Sequence, residues 1–518
     1  KANLIQTDFS STILDKVNFY GADLTDSDMQ ESSMSRANFS LANLQNANLS
    51  NSTAIGTIFY KANLNNVKIY DSNLSKASFK EARMYGIDMQ SNILKYAVFI
   101  KAYMEGGDFQ NAVFDNADMR FANISNSIIS KASFNSAKMI GVNLTDAVAY
   151  NAKFNSADMS RSNLTHANLL GADMQDANLG GAILKEATLG NVNLSNANLG
   201  NTYLEGSNMR GSILKRTNLS FANINGVDFY KATLVQANLS SASLIGAELY
   251  NADLRSADMR NSNLKQAIIW GANLVGAKLN NASLHGASIR AVNMSNTDVS
   301  GIDIKNAIFL DVTGIDSKIA LFKENGAFTS LKDVEKAAAN RADLQYMNFS
   351  KLDLSNINLS GANLTGSIFA NTNLTQANFN KSLLNNTKFK RANLEKARMV
   401  GANLKEADLS RASMQGVRMD GANLEFVNLS GADLWRSSLV LANMQNANLE
   451  ATSCVEVSFY KSNLTGANLN RTNLSGAILY KANIEKITGV SKEVIADLLA
   501  LTQKQPKENM EKNDAAEE

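Results

Sequence analysis

Proline and cysteine occur once each in 518 residues, histidine and tryptophan twice each. A lone cysteine, Cys454, can close no internal disulfide, so the fold does not rely on an oxidising compartment and a reducing cytoplasm suits it. No run of roughly 18 apolar residues occurs, which excludes a bilayer-spanning helix. Charge is balanced, 50 Lys plus Arg against 48 Asp plus Glu, and the net +2 gives no global attraction to nucleic acid or to an anionic membrane. Nucleic acid is therefore not the expected partner. No glycine-rich phosphate loop and no paired His/Glu metal spacing is found. No secretory signal opens the chain, and it begins at Lys1 inside a repeat, so residues upstream of it are expected.

What is present is a period of five. In "FYKSNLTGANLNRTNLSGAILYKANI" a large apolar residue recurs at Phe459, Leu464, Leu469, Leu474, Leu479 and Ile484. A helix cannot bury such a series, because each five-residue step overshoots a full turn by about 140° and carries the apolar residues to every side. A single strand cannot bury it either, since successive members would alternate between faces. The chain must turn a corner after every unit. Two residues before each large residue stands a small one, usually alanine (Ala22, Ala37, Ala42, Ala47, Ala62), and directly before it stands Asn, Asp, Ser or Thr. The Ser, Asn and Gly residues that follow, as in Ser50-Asn51 and Gly180-Gly181, are types that tolerate tight turns.

The register runs from Leu4 to Phe309 without insertion or deletion, about 62 units, and again from Leu344 to Ile484, about 29 units. Phenylalanine fills the large slot at Phe19, Phe39, Phe59, Phe79 and Phe99, and a second series holds Phe114, Phe134 and Phe154. An interval of 20 residues means four units per circuit, with like side chains stacked from coil to coil. Ala54 and Ala149 place a small residue in the large slot, and Cys454 does the same.

Units such as "ANLQN", "ADMQD", "ANLGG" and "ANLSS", present along nearly the whole chain, give an A(N/D)Lxx pattern that resembles the pentapeptide-repeat proteins. The resemblance implies an all-β solenoid: a right-handed quadrilateral parallel β-helix whose large residue and alanine point inward. The expected organisation is two tandem arrays with short capping or linker helices, with one nearly continuous rod carrying a bulging insert as the alternative. The first array covers 1–314, a helical insert or linker 315–341, the second array 342–489, a capping helix 490–503 and a disordered charged tail 504–518. Val312-Thr313-Gly314-Ile315 and Ile487-Thr488-Gly489-Val490 align as one terminator used twice. Ser330 with Asp333 forms a capping box for a helix over Leu331–Ala339, and Ile319 to Phe322 forms a shorter one. Ser491 caps a helix over Lys492–Thr502, whose Val494, Ile495, Leu498 and Leu499 make one apolar face expected to seal the last coil.

The search for chemistry yields little. His166 and His285 fall in outward slots 119 residues apart and share no metal or catalytic site; both are expected to be solvent-exposed. Cys454 is expected to be a core filler, not a nucleophile. No cofactor is expected, and carboxylates spread along polar walls without a cleft do not make an enzyme. The candidate interaction surface is a basic girdle, Lys381, Lys388, Lys390, Arg391, Lys396 and Arg398, together with the outward Trp270 and Trp435. The expected function is a non-enzymatic scaffold, a rod for protein–protein interaction. A bacterial effector secreted into a host cell is one form of it, since the acid-rich end resembles type IV secretion signals. The alternative is a DNA-mimicking protein that protects gyrase, which the resemblance allows but the near-neutral charge does not favour. A homodimer through an uncovered coil end would bury an open strand edge.

Overall fold

The computed structural model describes residues 2–504, and the part of the expected tail from 505 to 518 lies outside them. Its elementary unit can be followed at Phe39. Ala37 and Phe39 are fully buried, Asn38 between them faces outward, and Leu41 adopts a left-handed φ of 57°. That corner lets the Ala42 N–H donate back to the Phe39 carbonyl (3.0 Å) and close the turn. The third residue of such a turn needs positive φ, and nearly every unit supplies one two places after its large residue.

Each residue before a large one pairs in parallel with its equivalent 20 residues on, as in Asn18↔Asn38 and Asn38↔Ile58. Every coil therefore has four sides. Around each such residue the backbone is bonded to both neighbouring coils: Asn38 N–H donates to Val17 O in the coil before (3.0 Å), and Phe39 N–H donates to Ile58 O in the coil after (2.7 Å). One paired residue per five is too few for regular strand over most of the wall. Among the described residues, strands proper are only β1 (Ile268–Trp270), β2 (Ser288–Arg290) and β3 (Ile308–Leu310).

The chain forms two compact units. The first comprises Lys1–Leu284, Arg290–Asp303 and Asp311–Asp316. Its core shows the expected columns: successive rings from Phe19 to Phe99 stack at 4.8–5.2 Å and within 12° of parallel, and Phe114, Phe134 and Phe154 stack likewise at 4.8 and 5.1 Å. On the walls, amides continue the stacking. Asn178 Nδ2 donates to Asp158 Oδ1 (3.0 Å), Asn198 to Asn178 (2.9 Å) and Asn218 to Asn198 (2.9 Å).

The second unit comprises His285–Ile289, Ile304–Leu310 and the chain from Ser317. Ile308 pairs with Phe328, the Phe309 and Phe322 rings meet at 5.0 Å, and Asn348 N–H donates to Gly286 O (2.8 Å). Helix α1 spans Ile319–Glu324 and α2 spans Leu331–Ala339, with Ser330 Oγ accepting from Asp333 N–H (3.1 Å). The pairing then runs again from Asp343↔Asn363 to Asn468↔Thr488. Gly314 and Gly489, the aligned terminator glycines, both turn left-handed, φ 80° and 81°.

Helix α3, Lys492–Gln503, begins at Ser491 as expected and is tied to the last coil by Lys481 N–H donating to Thr502 O (2.8 Å). Its apolar face does not seal that coil as a whole. Only Leu498 is buried, while Val494 and Leu499 remain 41% and 48% exposed. One row of side chains, that of Leu498, reaches the core, and the flanking rows do not.

Where Ile87 puts a large residue in the small slot, the next coil compensates with Gly107. A Cβ at Gly107 would stand 2.6 Å from the Phe109 ring and 3.2 Å from Ile87 Cγ2. Gly107→Ala therefore destabilises the chain by about 1–3 kcal/mol in urea unfolding, although alanine is the usual occupant of that slot.

Candidate interaction surface

Outward side chains arise from three positions per unit: the paired residue, the one after the large residue, and the left-handed corner. The six bases of the expected girdle occupy all three. Lys381, Arg391 and Lys396 stand on corners. Lys388 and Arg398 are paired residues, and Lys390 directly follows Phe389. They fall within one circuit, but on different sides of it. Only Lys388, Lys390 and Arg391 share a wall, so the girdle has no focus on which six charges converge. Lys396 is paired with Glu395 (3.1 Å), and Arg398 is bridged to Arg418, which binds Asp420 (3.2 Å).

The tryptophans are not bare rings. Trp435 is 39% exposed, but the Arg436 guanidinium lies 4.3 Å from its ring and is itself held by Glu456 (2.6 Å). Trp270 is half-buried, with Tyr250 edge-on at 5.5 Å and Arg290 at 5.6 Å.

Both histidines have neighbours that their spacing did not announce. His166 stands on a left-handed corner between Asp146 (Nδ1 to Oδ1, 3.3 Å) and Glu186 (Nε2 to Oε2, 3.6 Å), its equivalents one coil before and after. The carboxylates face opposite ring nitrogens, so the three cannot close on one ion. His285 is half-buried, 6.5 Å from the Tyr346 ring, not fully exposed as expected. Among the described residues no group of three or more His, Cys, Asp or Glu could hold a metal.

Elsewhere the walls neutralise their own charge. Asp253 and Asp258 are each gripped by the arginine two residues on, Arg255 (2.7 Å) and Arg260 (2.6 Å). Those hydrogen bonds hold both carboxyls below their usual range against the opposing effect of burial. Asp118 is more strongly desolvated, yet Arg120 (2.7 Å) still holds it low. A shallow dent of about 420 Å³ lies beside Arg161 where Gly180 and Gly200 leave the amides of Asn198 and Asn218 uncovered.

Reading the sequence for charge and tryptophan missed a different feature, a set of apolar residues in outward slots of the first unit. Tyr20 (55% exposed), Leu41 (45%), Ile58 (41%) and Phe121 (58%) stand where Asn, Asp or Ser is usual. Their positions, sorted by remainder after division by 20, all fall on one wall.

Comparison with known proteins gives two family models. The one described as "Pentapeptide repeat region" matches residues 2–79. The one described as "Pentapeptide repeats (8 copies)" matches twelve segments between 93 and 487, the first 93–130 and the last 452–487. No curated protein sequence matches. Similar solved structures include HetL, a pentapeptide repeat protein involved in heterocyst differentiation regulation in Nostoc (26% identity, 43% of this chain and 90% of that one, TM-score 0.18). Another is a pentapeptide repeat protein of the Arabidopsis thaliana thylakoid lumen (28%, 24% and 79%, 0.14). A third is QnrB1, a plasmid-mediated fluoroquinolone resistance protein (16%, 38% and 94%, 0.26). At TM-scores this low, no feature of those three transfers to this chain.

Cys454 sits in a large core slot with no exposed surface, and burial, with the nearby Asp433 charge, pushes its thiol up to about 12. At pH 8 the native chain should leave a thiol-specific disulfide reagent unreacted over hours, and unfolding in guanidinium should release one equivalent. Fast labelling of the native chain would place Cys454 outside the core.

Proposed function

The chain belongs to the pentapeptide repeat family, whose members form right-handed quadrilateral β-helices, and from that premise we propose that it acts as a non-enzymatic scaffold for protein partners. Two tandem arrays separated by the helical segment 315–341 would present separate sets of walls. One observation carries the reading. Along the walls the backbone N–H and C=O groups around each paired residue are spent on the coils above and below, so what remains for recognition is a fixed grid of side chains. A surface that cannot rearrange suits selection of a partner more than catalysis, which draws on a concave, water-excluding site.

The secreted-effector form of this reading rests on the acid-rich end, Asp514, Glu517 and Glu518. It would place the protein in the cytoplasm of the producing cell and then of a host. A reporter fusion that fails to enter host cells in the presence of an active secretion system removes that form and leaves the scaffold.

The gyrase-protecting alternative has one feature in its favour, the column Asp8, Asp28, Asp88 and Asp108 on one wall, interrupted by Asn48 and Lys68. A groove that grips duplex DNA is basic over a long stretch, and a net charge of +2 does not complement it. Purified full-length chain should leave gyrase supercoiling unchanged, with or without a quinolone; inhibition or rescue would reinstate the alternative. For the scaffold, a protein captured by the full chain should co-elute with it at fixed stoichiometry, and the partner's intact mass should stay constant over prolonged incubation. A progressive mass change would mean turnover and would defeat the reading.

A further inference from the structure

Exposed apolar residues also stand on other walls, Ile13, Ile55, Ile93 and Tyr96 on one of them, but the wall of the first unit that carries Tyr20, Leu41, Ile58 and Phe121 joins them to a row of lysines. Its paired column reads Asn18, Asn38, Ile58, Ser78, Val98, Asp118, Lys138. The residues after its core side chains include Tyr20, Tyr60, Ile100 and Ile140, and its corners include Leu41, Lys61, Lys101 and Phe121. Over six coil spacings, about 29 Å, one wall thus combines aliphatic and aromatic side chains with Lys61, Lys80, Lys101, Arg120 and Lys138. The only carboxylates on it are Glu81, which bridges Lys61 (3.4 Å) and Lys80 (3.9 Å), and Asp118, which is taken by Arg120. Lys101 and Lys138 make no ion pair among the described residues.

Exposed apolar side chains at four of these places cost hydration without serving the core. At one place the fold makes room for them. The bare corner of Gly141 lies under the Phe121 ring, where a Cβ would meet it at 2.8 Å. Exposed apolar side chains gathered on one wall, here interspersed with Lys61, Glu81 and Lys101, mark a contact site.

We propose that this wall docks an acidic, apolar segment of a partner protein. This deepens the scaffold reading and rests on it. The partner must be recognised by side chains, because the wall has no free strand edge to which a strand could add. Lys101 and Lys138 supply the charge that an acidic segment complements, and Tyr60, beneath Lys61 (5.2 Å) and Lys80 (5.9 Å), is an aromatic anchor of the type that dominates interfaces. A lipid surface fits less well, since a flat wall cannot insert its apolar groups without also burying Glu81 and Asp118. A phosphate backbone would meet the lysines but offer nothing apolar to Tyr20, Leu41, Ile58 and Phe121. A second copy meeting the same wall would set like charges against each other.

A random twelve-residue peptide library displayed on phage and panned against the immobilised full-length chain tests this. Enriched peptides should join Asp or Glu to Leu, Ile or Phe. Their affinity should fall at least about tenfold, the loss of one interface anchor, for the double variant Ile58→Asn with Phe121→Asn. It should fall comparably for Lys101→Glu with Lys138→Glu, which keeps the test valid should the first variant fail to fold. Asparagine is common at both kinds of slot, so thermal unfolding should be unchanged.

Four outcomes overturn the proposal. One is failure to enrich acidic apolar peptides, and another is binding indifferent to both variants. A third is pelleting with phosphatidylserine vesicles that the variants abolish, which would make the wall a membrane contact. The last is a concentration-dependent dimer lost in the variants, which would make it a self-contact. The second of these, seen with a natural partner, would leave the scaffold standing and remove only this surface.

Discussion

Everything in this structure depends on a left-handed corner every fifth residue. For an L-residue other than glycine that conformation is unfavourable, by roughly 1–2 kcal/mol each where it is fully resisted, and here even Leu41, Phe121, Phe221, Phe426 and Leu441 adopt it. The corner persists because its neighbours over-determine it. Around Leu41, the Ala42 N–H closes the turn on Phe39 O (3.0 Å), Leu41's own N–H reaches Tyr60 O (2.9 Å) in the next coil, and Phe39 N–H reaches Ile58 O (2.7 Å). A residue that left the corner would leave several of these groups unpaired. The cost is shared with adjacent coils, which is why the strain can recur along the chain without a glycine at every turn.

That constraint separates two sets of residues that ordinary domains mix. The large and small inward slots answer to packing alone, and they adjust in pairs: Ile87 enlarges a small slot and Gly107, one coil on, vacates its own beside Phe109. Polar residues in the small slots mostly satisfy themselves, although the buried Ser207 hydroxyl has no hydrogen-bond partner. Thr57 Oγ1 donates to Met34 O (2.7 Å) and Ser127 Oγ to Met104 O (3.0 Å), each to the coil before. The outward slots answer to their equivalents 20 residues away. Amide ladders, the Asp146–His166–Glu186 stack and the Arg436–Glu456 pair are one arrangement with different chemistry.

Much of the core was legible in the sequence because its period is unbroken: the interval of 20 between Phe19 and Phe99 became a column of parallel rings. Ser330 and Ser491 announced their helices for the same local reason, a side-chain oxygen within reach of an unpaired N–H. What stayed hidden depends on width and on lateral neighbours, which a one-dimensional pattern does not contain. The apolar face of α3 was visible, but not that docking would bury only Leu498 and leave Val494 and Leu499 outside. The girdle from Lys381 to Arg398 is compact along the chain, yet a circuit of 20 residues sends its members to different sides. Half-buried His285 lies 6.5 Å from the ring of Tyr346, a neighbour 61 residues on that no spacing in the first array could anticipate.

The same geometry decides where to look for function. On a globular surface a patch assembles from unrelated segments, so composition near one point of the chain says little about it. Here residues at one remainder modulo 20 lie on one wall, and function is written as departures from Asn, Asp and Ser in the outward columns. A residue can change in such a slot without disturbing the core, because backbone pairing, not the side chain, holds the unit in place. The outward slots should therefore be free to record contact chemistry. Ile58, Val98 and Ile100, in outward slots that Asn, Asp and Ser more often fill, are retained at a cost in hydration that the coil itself gives no reason to bear.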